Sequence, residues 1–104
     1  MSYLVVLFNL KDGADAAKYE AWAQATDMPA VRGLKSIGGF DVFKLNELFR
    51  SGGKPPYQYV EIIEVADMDQ FGVDASTETM KAVAGQFREF ADSPIFISSE
   101  KLGA

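Results

Sequence analysis

A chain of 104 residues with 48% hydrophobic and 24% charged side chains reads as one folded domain over 1–104, too apolar for a disordered segment. Its formal net charge of -5, with ten basic residues scattered singly, argues against nucleic acid and anionic membrane as partners. With neither Cys nor His there is no disulfide, no thiolate-bound metal and no imidazole base, so proton transfer falls to carboxylates, Tyr, Lys or water, and no metal or cofactor is expected.

Residues Tyr3 to Leu10 read as a first strand that is apolar on both faces, Asn9 being its one polar side chain. Side chains alternate across a strand, so one face can meet the chain's own helices while the other needs a second cover. A second copy of the same sheet is the expected cover, which makes the chain a homodimer. Lys11-Asp12-Gly13 is a turn signal, and Asp15 caps a helix whose buried face is Tyr19, Trp22, Ala23 and Thr26, with Glu20 and Gln24 facing away. Pro29 interrupts that helix, and residues 30–34 form a further turn or two with Asp27 as their cap.

A second strand is expected at Phe40 to Leu45, then a mobile Gly- and Pro-rich loop from Glu47 to Pro56, then a third strand from Tyr57 to Val65. Asp67 and Gln70 have capping-box spacing and open a short helical turn. The second main helix starts near Ser76 and buries Met80, Val83, Ala84, Phe87 and either Phe90 or Ala91; Ser93-Pro94 stops it before a last strand at Ile95 to Ser99. The order β-α-β-β-α-β predicts an α+β, ferredoxin-like fold. Its four-stranded antiparallel sheet carries both helices on one face, and two such sheets pack as a dimeric α/β barrel. No apolar run approaches a membrane span and no signal-peptide layout is visible, so a cytoplasmic location is expected.

Glu61 lies inside the third strand, and pairing that strand with the first is expected to bring Asn9 close to it, within about a residue of register. Sharing one face, the two would make a polar pair in an apolar cavity, and a carboxylate so desolvated has a raised pKa suited to acid–base work. Glu61 is therefore the catalytic candidate; Asn9, Tyr19, Trp22, Asp27, Tyr59 and Glu61 are the ligand-binding candidates. Plainer readings stand beside each. Asn9 can serve strand-end backbone, Glu61 a solvated edge, Tyr19 and Trp22 the core, and Asp27 a helix cap. Tyr57 and Tyr59 flank the loop as an entrance, and Arg32 and Arg88 read as solvated or paired with acids, with ligand contact the lesser reading.

The blocks Leu7-Phe8-Asn9-Leu10-Lys11, Tyr19-Glu20-Ala21-Trp22-Ala23, Thr26-Asp27-Met28-Pro29, Tyr59-Val60-Glu61 and Gln86-Phe87-Arg88-Glu89-Phe90-Ala91-Asp92 together resemble the RedY-like family, from about Tyr3 to Glu100. The resemblance implies a dimeric α/β barrel of prodigiosin-type tripyrrole pigment biosynthesis. It further implies a role in forming the methoxy-bipyrrole carbaldehyde half of the pigment from a small aromatic bipyrrole-type ligand, with room for a partner enzyme of the same pathway. It carries no set of catalytic residues. The alternatives are a cofactor-independent monooxygenase-like enzyme and a non-catalytic dimeric partner protein.

Overall fold

Strand alternation, caps and one proline set the architecture. A computed structural model describes residues 2–103. In chain order it contains β1 (Ser2–Leu10), α1 (Ala16–Trp22), a π-helical turn (Ala23–Asp27), α2 (Met28–Arg32), β2 (Ile37–Lys44), β3 (Tyr59–Val65), α3 (Met68–Ala75), α4 (Glu78–Phe90) and β4 (Ala91–Glu100). The four strands form one antiparallel sheet in the order β2-β3-β1-β4, the ferredoxin-like arrangement expected.

Alternation along β1 divides the sheet's two faces. Val6, Phe8 and Leu10 are buried on the helix side, where Val6 stands opposite Glu61 and Phe8 opposite Tyr59. The outer face is also apolar: Phe43, Ile62, Ile95 and Ile97 are exposed there, around half-buried Val5, Leu7 and Val60. The Asp15 carboxylate caps α1, accepting from the Ala17 amide at 2.9 Å, and Asp67 caps α3 by accepting from the Gln70 amide at 3.1 Å. On α4, Val83 and Phe87 are buried while Met80 and Phe90 pack at the core's margin, the face anticipated from spacing; Ala91 is buried too, as the first residue of β4.

β3 begins at Tyr59, two residues after the expected Tyr57, and α4 at Glu78 rather than near Ser76. Three further boundaries differ from expectation, each for a physical reason. Pro29 does not interrupt the first helix. It has no amide to offer Ala25, and the turn before it widens, with the Met28 amide bonding back five residues to the Ala23 carbonyl. β2 begins at Ile37, not Phe40, because a bulge lets Ile37 pair with Val65. Gly38 suits that bulge, since a β-carbon there would come within 3.1 Å of the Glu64 side chain. β4 begins at Ala91 rather than Ile95, because Ala91 and Asp92 pair with Leu10 and Asn9 across a second bulge before Pro94, on an edge strand where a missing amide is tolerated.

A candidate ligand cavity with two buried carboxyls

Glu61 points to the helix side by strand parity, between Val6 of β1 and Val42 of β2. Asp27 reaches the same interior by another route. The buried positions on the first helical stretch are Tyr19, Ala23, Asp27 and Val31, a spacing of four that the wide turn sustains. Thr26 is therefore only half-buried, and Asp27, expected as a cap, makes no capping bond. Asp27 and Glu61 are each 5% exposed.

Both carboxyls line a cavity of about 270 Å³ between the sheet and the helices. Phe40, Ile63 and Phe96 contribute from the strands; Phe71, Met80, Val83 and Phe87 contribute from α3 and α4. Ser36 fastens α3 in place, its amide and hydroxyl both donating to the Asp74 carboxylate, at 3.2 and 2.8 Å. Arg88 is the single cation on the wall, and its side chain is exposed.

The electrostatics follow from the burial of the two carboxyls. Burial, and then the nearby charge of Asp27, pushes the Glu61 carboxyl from an ordinary 4.5 up to about 8. Burial alone pushes Asp27 from 3.8 up to about 6. Around neutral pH, then, Glu61 keeps its proton while Asp27 is largely ionised. Neither has a cationic partner: among the described residues the ion pairs are Arg32–Asp41 at 3.3 Å and Lys44–Glu20 at 3.4 Å, both away from the cavity. Glu61 Oε2 and the Tyr19 hydroxyl are buried without a hydrogen-bond partner, and Tyr19 is held protonated by burial and then by the charges of Glu61 and Asp27. Among the described residues, no three metal-ligating side chains lie together.

A family model described as REDY-like protein HapK matches residues 2–102. The chain belongs to the REDY-like HapK family. Among solved structures, HapK from Hahella chejuensis is 28% identical and superposes with a TM-score of 0.79, over 100% of this chain and 95% of that one. SnoaB from Streptomyces nogalater, a cofactor-independent oxygenase, is 13% identical with a TM-score of 0.77, over 99% and 94% of the two chains. A dimeric ferredoxin-like protein from Thermobifida fusca is 13% identical with a TM-score of 0.70, over 94% and 88%. These last two likenesses show the fold alone. No curated protein is similar enough in sequence to count as a match.

Against that geometry the site residues expected in this REDY-like chain separate into two groups. Glu61 and Asp27 come together, with Tyr19 beside them. The expected pairing of Asn9 with Glu61 does not form. Tyr3 stands opposite Glu64, so Glu61 falls opposite Val6, three residues from Asn9 and on the other face. Asn9 instead donates from Nδ2 to the Pro56 carbonyl at 3.2 Å, at the far end of the sheet. Tyr59 is no loop-side entrance residue. It is buried, its ring stacked on Phe8 at 5.4 Å, and its hydroxyl donates to the Glu20 carboxylate at 2.6 Å. Glu20 accordingly does not simply face away from the core. Trp22 lies off the cavity wall, packed on Phe90 at 5.5 Å with its indole N–H on the Gln86 side chain at 2.7 Å. Phe40, Phe71 and Phe96 were missed as wall residues. Strand parity gives the side for Phe40 and Phe96, but no local signal tells that the helices leave space above them.

Among the described residues, no helix is long and apolar enough to cross a membrane.

Proposed function

We propose that this REDY-like protein serves prodigiosin-type pigment biosynthesis by binding a flat bipyrrole intermediate in the Asp27–Glu61 cavity and managing a proton on it, on the way to the methoxy-bipyrrole carbaldehyde. The observation that carries the reading is a pair of buried carboxyls with no cationic partner, in a cavity walled by phenylalanines. Pyrrole N–H groups are donors without acceptor capacity, and carboxyl oxygens are the acceptors that suit them. Phenylalanine rings suit the flat faces of the ligand. At about 270 Å³ the cavity falls near the lower end of the roughly 300–1,000 Å³ range of small-molecule pockets, so it favours a compact ligand.

A homodimer formed through the outer sheet face belongs to the same reading. It would cover Phe43, Ile62, Ile95 and Ile97, and the fold-mate from Thermobifida fusca, itself dimeric, supports it. The cavity lies on the opposite, helix-covered side of the sheet, so ligand and partner copy need not compete.

Calorimetric titration with a bipyrrole carbinol, the alcohol one oxidation level below the carbaldehyde, tests the binding site. The wild-type chain is expected to bind it saturably. Ala84→Trp, which fills the cavity from half-buried Ala84 on α4, should weaken binding ~100-fold or more, a loss of a few kcal/mol. Binding left intact by Ala84→Trp would overturn the site. Oxygen uptake on mixing, with no added cofactor, would favour an oxygenase instead.

A further inference from the structure

Two carboxyls share one largely apolar cavity, and they are not equivalent there. Glu61 projects from a strand and Asp27 from the wide helical turn, so they enter from opposite layers and a ligand lying between sheet and helices meets both. Glu61 Oε2 is buried with no hydrogen-bond partner, and Arg88, the wall's one cation, makes no ion pair with either acid. The protein leaves the polar capacity of Glu61 Oε2 unused, and neither acid has an ion-pair partner among the described residues. The remaining wall is largely aromatic and aliphatic, with Phe40, Phe71, Phe87 and Phe96 among its residues, and aromatic rings tolerate a delocalised cation beside them. An acid on one side, a base on the other and a cation-tolerant wall between them are the requirements for eliminating water from an electron-rich ring.

Building on the reading of this cavity as a bipyrrole site, we propose that the pair catalyses a redox-neutral dehydration of N–H heteroaromatic carbinols. Glu61 delivers its proton to the carbinol oxygen, the C–O bond breaks and water departs. Asp27 takes the ring N–H proton, and the nitrogen lone pair completes the exocyclic double bond of an azafulvene. Carbinol thus becomes azafulvene plus water, with no change of oxidation state and no co-reactant. The proton lost by Glu61 is matched by the one gained by Asp27, and its return to Glu61 resets the pair. The different affinities of the two groups for protons, with Glu61 the stronger holder, agree with these roles. Water can add back by the same path, so the step runs in both directions at the site.

That reversibility supplies a test that needs no net turnover. The 2,2′-bipyrrole carbinol is incubated with the protein in ¹⁸O-labelled water near neutral pH, and the label entering the carbinol is followed by mass spectrometry. At saturating carbinol the wild-type chain is expected to speed exchange by ~100-fold or more over buffer, the usual contribution of acid–base catalysis. Glu61→Gln and Asp27→Asn should each return it towards the buffer rate while carbinol still binds calorimetrically. Saturable binding without exchange above buffer would overturn the dehydration and leave the binding reading standing. Exchange that persists in Glu61→Gln would overturn the acid assignment, and absence of binding would defeat both readings.

Discussion

Replacing Glu61 by Gln should flatten the dependence of this protein's stability on pH, because it removes a proton that burial holds on the folded chain. The gap between an ordinary 4.5 and about 8, at about 1.4 kcal/mol per pH unit, amounts to roughly 5 kcal/mol. Below 4.5 the folded and unfolded chains both carry the proton, and the contribution of Glu61 is fully present. Between 4.5 and about 8 the unfolded chain releases the proton and the folded chain keeps it. Stability therefore falls as pH rises through that window, and above it the loss is complete. Asp27 adds a slope of the same sign between 3.8 and about 6. A loss of this size matters in a small domain, whose whole stability is about 5–15 kcal/mol.

Urea unfolding at fixed protein concentration, from about pH 5 to about pH 9, reads the effect directly. The wild-type midpoint should fall with rising pH, and Glu61→Gln should fall much less, the gap widening by several kcal/mol at the alkaline end. Any cost of burying the Gln amide is the same at every pH, so the slope carries the information rather than the offset. Parallel curves for the two proteins would refute the argument that Glu61 is desolvated and neutral in the folded state.

On the outer face, the proposed dimer predicts that Ile62→Asp, which places a charge amid the exposed apolar patch, turns a wild-type dimer into monomer in analytical ultracentrifugation; a monomeric wild type would overturn the dimer, and a variant still dimeric would move the interface elsewhere. Asn9→Ala should leave carbinol affinity within about twofold by calorimetry, since Asn9 faces away from the cavity and bonds the Pro56 carbonyl. Phe87→Ala removes a buried ring that meets Phe8 edge-on at 4.9 Å. It should cost about 3–5 kcal/mol by chemical denaturation, with a smaller loss indicating that α4 settles into the space.

Much of the fold was legible from local chemistry. The caps at Asp15 and Asp67, the face of α4 and the strand character of β1 and β3 each depend on a few neighbouring residues and survived into the structure. Glu61 was legible as a carboxylate inside an apolar strand. The role of Asp27 was not. A proline within a helical stretch can break the helix or widen the turn before it, and the residue types alone do not decide between those outcomes. Widening shifts the buried face by one position, and that shift separates a surface cap from a cavity acid. The Asn9–Glu61 pairing failed for a related reason: register is a property of the whole sheet, and small errors in it move a side chain to the opposite face.

Local sequence was enough for most of the elements, for the apolar character of both sheet faces, and for the acid–base groups on hand in a chain without His or Cys. These follow from period, cap and composition, all of which act over a few residues. Long-range packing is what brings Asp27 and Glu61 into one cavity, leaves Asn9 and Trp22 outside it, and ties Tyr59 to Glu20. Those outcomes depend on how helices seat on the sheet and how strands register. Both are settled by packing among residues distant in the chain, where a displacement of one position changes the partner of every side chain.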